Sequence, residues 1–380
     1  MKKPTNLFII ILVAIAFGAF AGVMSSIVAN SYFGRTTDGL VGANELNLAD
    51  SVYSRANLII RDAKKVVVNQ DVKIDETVAS LQPVLLSAFK KDDGKKDYYV
   101  LDDADAYGLI LSSDGWILLG GFKDDVLKDS SLNDELKKYT VISYDKKMYD
   151  IDKAVAVKIT GDGSVILAHL KSASNLSVRK MAYASDLKPG TTLLVVSPSG
   201  RTMISSLISK KRPNLQLSSD RPDISLELAD KLDNEFNNSL IFNLGGDFVG
   251  FLDSTGSVRP NYVFLPAWRS FVAASKPSFP YFGVNYLDLS AVKATGLKVD
   301  KGAWIKSVDS GHPAIVKGSP AEAAGLKEGD VIIRIDDQEL DSTHDLAETI
   351  SAYSAGDSIY VSYDRKGVQS GFELKLGELK

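Results

Sequence analysis

From about Val72 to Val272 the chain is a succession of short β-forming runs cut off by turn chemistry, and this pattern limits the fold more than any other feature. The runs are GLIL (Gly108–Leu111), WILL (Trp116–Leu119), TVISY (Thr140–Tyr144), AVAVKI (Ala154–Ile159), SVILAHL (Ser164–Leu170), TTLLVVS (Thr191–Ser197) and MISSLI (Met203–Ile208). Asp114-Gly115, Asp162-Gly163, Pro198-Ser199-Gly200 and Gly245-Gly246-Asp247 supply tight turns between them. Such runs, with no long helical pattern among them, predict ten or so strands in an antiparallel sandwich or a pair of barrels. A parallel α/β sheet is not expected. Ser51 to about Asn69 reads as a short helix leading in.

Residues 7–29 (LFIIILVAIAFGAFAGVMSSIVA) hold no charge. A helix over them spans about 34 Å at ~1.5 Å per residue, enough for a hydrocarbon core of ~30 Å. Lys2 and Lys3 precede it, so the positive-inside tendency puts the amino terminus in the cytoplasm and the bulk of the chain outside. The reading is a single-pass membrane anchor. A cleaved signal peptide ending near Ala19-Phe20-Ala21 and a buried helix are the alternatives. The expected domains are a cytoplasmic tail (1–6), the anchor (7–29), a tether and lead-in (30–71), a β body (72–275) and a carboxy-terminal module (276–380).

Composition narrows the chemistry. A formal charge of −4 leaves no basic footprint for nucleic acid. Cysteine is absent and histidine numbers three, His169, His312 and His344, so neither a thiol nucleophile nor a transition-metal site is expected, and no cofactor is implied. The acidic loop Asp102-Asp103-Ala104-Asp105 lacks the spaced ligands of a calcium loop.

The last hundred residues change character. Tyr281–Leu287 and Ala303–Val308 are strand-like. SPAEAAGLKEGD (Ser319–Asp330) reads as a short helix stopped by Gly325 and a turn at Gly329-Asp330, followed by strand Val331–Asp336. Thr343 is expected to cap a helix to Tyr353, and strands Ser358–Arg365 and Ser370–Leu376 close the unit. Tyr281-Phe282-Gly283-Val284, then GSPAEAAGLKEGDVIIRIDDQEL (Gly318–Leu340), then a capped helix, resembles a PDZ domain (α+β) of the bacterial HtrA/Deg type. The resemblance implies a groove that takes a partner's carboxyl-terminal peptide as an added strand. Tyr281, Phe282, Gly283 and Val284 would form the carboxylate loop, and Leu346 and Ile350 would line the side-chain pocket or serve as core.

With an anchor and a β body before it, the whole order is similar to an HtrA protease, a mainly β chain with a trypsin-like double β-barrel. Gly108–Leu118 resembles the family's strand pair GxVIxxxGYIL, which leads into the catalytic histidine; Phe122 falls at that position. Ser164 opens the strand that carries the family's aspartate. SDLKPGTTLLVVSPSG (Ser185–Gly200) supports this register. Counting back from Gly246–Gly250, the GNSGGP nucleophile motif falls on Glu235–Leu240, with Asn237 at the serine position and Ser239 two residues on. Acyl transfer by serine needs a base of near-neutral pKa, and none of the three histidines lies at the expected place. The expectation is therefore an inactive protease homologue that binds peptides, acting as a scaffold or regulator in envelope quality control, with trimers implied by the resemblance. The alternatives are an active endopeptidase with a rearranged site, and a structural envelope-assembly protein.

Overall fold

The computed structural model describes residues 70–379, except 92–96, 123–131, 160–163, 198–199, 213, 234–235, 254–255 and 310. The expected anchor over 7–29 and the lead-in helix lie outside those residues. Among the described residues no helix is long and apolar enough to cross a membrane. The first element among the described residues is a helix, α1 (Gln70–Leu81), at the edge of the region read as β. Its sequence is polar, and contacts seat it: Leu81 is buried in the core with Ile74 and Val78 beside it.

Six antiparallel strands then close a barrel: β1 (Leu85–Lys90), β2 (Ala106–Ile110), β3 (Trp116–Gly120), β4 (Tyr139–Ser143), β5 (Met148–Lys158) and β6 (Ser164–Leu170), in spatial order β1-β2-β3-β6-β5-β4. A short helix, α2 (Leu132–Leu136), precedes β4. The strands read as unbroken apolar runs because both of their faces are covered. Ile117, Leu119, Ile166 and Ala168 fill this barrel. Their neighbours Leu118, Val165 and Leu167 join the core of a second barrel. Pleat alternation thus sorts one run into two cores.

The second barrel uses β7 (Thr192–Val196), β8 (Thr202–Lys211), β10 (Ser225–Leu228), β11 (Leu240–Asn243), β12 (Phe248–Leu252) and β13 (Val258–Pro260), in order β10-β13-β12-β11-β7-β8. Between β8 and β10 a two-residue strand, β9 (Leu217–Ser218), leaves this barrel. Asn261 follows β13, fully buried, its Nδ2 donating to Ala182 O and Phe248 O. A further helix absent from the sequence reading, α3 (Leu265–Ala274), ends where Ser275 turns left-handed at φ 56°. Its Phe271 meets Trp116 of β3 edge-on at 4.6 Å.

The carboxy-terminal module contains β14 (Phe279–Tyr281), β15 (Asn285–Asp288), β16 (Ala303–Ile305), α4 (Pro320–Ala323), β17 (Val331–Ile335), β18 (Gln338–Glu339), α5 (Leu346–Ile350), β19 (Ser358–Arg365), β20 (Val368–Lys375) and β21 (Gly377–Leu379). Its main sheet runs β20-β19-β17-β16-β15-β9, so β9 is an added edge strand; β14 pairs with β21. Two local expectations change. The run 281–287 is not one strand: β14 and β15 are separated by Phe282–Val284, with Gly283 at φ 90°. The last helix starts at Leu346, and its cap is Asp345, whose Oδ1 accepts from Ala347 N. Thr343 is engaged upstream, where its amide and hydroxyl both donate to Asp341 Oδ1.

Candidate functional site

At the junction of the barrels, the end of β3 meets the turn before β11. Gly121, at φ 91°, lies so close to this turn that a Cβ on it would come within 2.9 Å of Asn238 Nδ2. Phe122 turns away into the first barrel's core and meets Tyr139 edge-on at 5.2 Å. Asn237 is exposed, Asn238 is left-handed at φ 61°, and Ser239 is fully buried, its Oγ without a hydrogen-bond partner among the described residues. Ser164 begins β6 opposite Lys158. The structure thus joins Gly121 to Asn238 and sends Phe122 elsewhere. The buried hydroxyl at the head of β11 belongs to Ser239. Beside this turn a cavity of about 270 Å³ lies between the barrels, with Ser87 and Lys146 on one side and Ser197, Thr202 and Asn238 on the other. Each histidine faces an aspartate: His169 with Asp152 at 2.7 Å, His312 with Asp309 at 2.9 Å, His344 with Asp341 at 3.3 Å.

The second site is the loop Phe282–Val284, all of it buried. Phe282 N and Gly283 N donate to one oxygen, Asp220 Oδ1, at 2.7 and 3.0 Å, and Val284 N donates to Ser219 Oγ at 3.1 Å. Ser219 Oγ also donates to Asp220 Oδ1. Three successive amides aimed at acceptors make an anion-binding concavity. Burial pushes the Asp220 carboxyl up, against the pull of the two amides. Tyr281 flanks the loop from β14, while Leu346 and Ile350 are both buried in the module's core. Ser219 and Asp220 carry no local sequence signal and were not anticipated.

A buried ionic cluster stands beside this loop. Lys210 Nζ of β8 pairs with Glu348 of α5 at 2.5 Å, and Arg212 pairs with Asp288 at 2.9 Å and Asp345 at 3.5 Å. Tyr286 donates its hydroxyl to Asp345. Burial raises the carboxyls of Glu348 and Asp288, opposed by Lys210 and Arg212 respectively.

A family model described as "PDZ domain" matches residues 292–376. The "Serine protease Do-like HtrA" of Bacillus subtilis is 25% identical over 61% of this chain and 56% of its own length. The protein of the same name from Lactococcus lactis subsp. cremoris is 24% identical over 94% of both chains. The chain is similar to HtrA/Deg proteins, and its carboxy-terminal module matches the PDZ domain. Several of the curated HtrA relatives are matched over little more than half their length. The solved HtrA-type protease AlgW with tripeptide aligns over 81% of this chain and 97% of its own, at 16% identity and a TM-score of 0.48.

The protease names of these HtrA relatives correct the expectation that the chain is not an enzyme. That expectation came from Phe122, Ser164 and Asn237, assigned by counting through loops, where chain length varies most within a family, and from the absence of a histidine at the expected place.

Proposed function

We propose that this chain is an HtrA-type serine endopeptidase with a rearranged site, anchored by residues 7–29 with its bulk outside the membrane, and that its PDZ groove takes protein carboxyl termini. The observation that supports the protease reading is Ser239. It stands at the head of β11, its hydroxyl has no partner among the described residues, and its preceding turn closes on the end of β3. Because Ser239 is buried and no base among the described residues reaches its hydroxyl, attack on a substrate requires the Phe236–Asn238 turn to move and bring that hydroxyl to a group that takes its proton, and the left-handed Asn238 is the residue able to relax there. In the groove, the amides of Phe282, Gly283 and Val284 take the terminal carboxylate, Tyr281 shields it, and Leu346 and Ile350 form the apolar floor. Assembly as trimers belongs to the same proposal.

The test is fluorophosphonate labelling and casein cleavage by the full chain, compared with Ser239→Ala. Labelling at Ser239 with turnover, both lost in Ser239→Ala, is the expected result. Absence of labelling and cleavage, or their persistence in Ser239→Ala, overturns the assignment.

A further inference from the structure

The carboxylate loop is already occupied, and by this chain. The connection between β8 and β10 runs antiparallel beside β15, with Leu217 opposite Tyr286 and Ser218 opposite Asn285. Continuing that register places Ser219 opposite Val284 and Asp220 opposite Gly283, and the bonds agree. Ser219 N donates to Val284 O at 3.0 Å, and Val284 N returns a bond to Ser219 Oγ. Phe282 N and Gly283 N both donate to Asp220 Oδ1. Leu217 is buried in the same core as Leu346 and Ile350. Upstream, Gln216 fastens the segment: its Nε2 donates to His312 O and its Oε1 accepts from Val308 N. An extended strand thus runs toward the loop, anchors an apolar side chain and ends with a carboxylate on the amides. Those are the features of a carboxyl-terminal ligand bound by strand addition.

We propose that Leu217–Asp220 is a tethered ligand of the PDZ groove, in which the Asp220 side chain stands in for a partner's terminal carboxylate, so that a peptide binds only by displacing it. This rests on the reading of the groove as a peptide site. A carboxylate that is 8% exposed holds its place through hydrogen-bond donors, and here they are the donors a peptide needs. A tethered segment competes at an effective concentration on the order of millimolar, and the peptide's apparent affinity falls with the fraction of open groove. A cavity of about 380 Å³ between this segment and Tyr286, Asp345 and Ala347 leaves the strand room to depart.

The test uses the full chain and its Asp220→Ala and Asp220→Asn variants. Hydrogen exchange is followed at 281–285 without peptide. Binding is read by anisotropy of a fluorescein-labelled heptapeptide ending in Leu-Val, as free acid and as amide. Asp220→Ala is expected to exchange faster at 281–285 and to bind the free acid at least about tenfold more tightly than wild type, with no gain for the amide. Asp220→Asn, which keeps the size and one acceptor, falls between them and guards against misfolding of the alanine variant. Unchanged exchange in Asp220→Ala, or faster exchange with no gain in affinity, overturns the proposal. Faster exchange with no binding of the peptide to any of the three proteins overturns instead the peptide-site reading, and the tethered ligand with it.

Discussion

Gly283 adopts φ 90°, and a Cβ there would collide with Ser319, the residue whose hydroxyl caps α4 by accepting from Glu322 N. The strained backbone alone costs about 1–2 kcal/mol for a residue with a side chain, and the collision adds to it. Gly283→Ala is therefore expected to lower stability by at least about 2 kcal/mol and to weaken peptide binding, read by thermal melting and by anisotropy. An unchanged melting temperature would show that the loop relaxes freely. This glycine was legible in the sequence, because Tyr281-Phe282-Gly283-Val284 is a contiguous motif. Its acceptor was not. Asp220 lies 62 positions from Phe282 along the chain, in a polar segment with no periodicity to mark it.

At the scale of elements, strands were readable wherever their apolar residues were contiguous, as in β3, β6 and β7. The helices α1 and α3 were not, since each is seated by contacts with distant strands. The cap of α5 was misplaced for a local reason: Asp341 draws Thr343 into its own turn, leaving Asp345 to cap. Burial opposes the ionised form of Asp341, but bonds from the Thr343 hydroxyl and amide and the His344 amide outweigh it and bring its pKa down to about 2. A depressed carboxyl stabilises the fold above its unfolded pKa, and that contribution is lost as pH falls from about 4 through about 2. Asp341→Asn, which keeps the acceptor and removes the charge, is expected to cost on the order of 1 kcal/mol at pH 7, discounted for its partial exposure. The deficit closes toward pH 2 in urea titrations. A pH-independent deficit would rule out the charge as its cause.

For the whole molecule, the ion pair Lys210–Glu348 links β8 of the second barrel to α5 of the PDZ module, with both side chains nearly buried. Removing one partner of such a pair leaves a buried charge and typically costs about 3–5 kcal/mol. Lys210→Met is expected to lose stability in that range in urea unfolding. Adding Glu348→Gln should recover most of it. Acidification should also shrink the single variant's deficit, because the Glu348 carboxyl is already raised by burial and takes up its proton early. Equal losses in the single and double variants would show that the pair does not couple the two parts.

By itself the sequence determined which of the contiguous apolar runs are strands and where they turn, because these follow from periodicity and turn chemistry within a few residues. The loop at Phe282–Val284 came only from the PDZ resemblance, since the residue pattern read 281–287 as one strand. Tertiary structure decided which core each strand face enters, where α1 and α3 settle, how Gly121 meets Asn238, and what the loop's amides hold. Those outcomes depend on burial and hydrogen bonding between segments far apart in the chain. Asp220 is a solvated acid in its local sequence and a bound carboxylate only once β9 lies against β15.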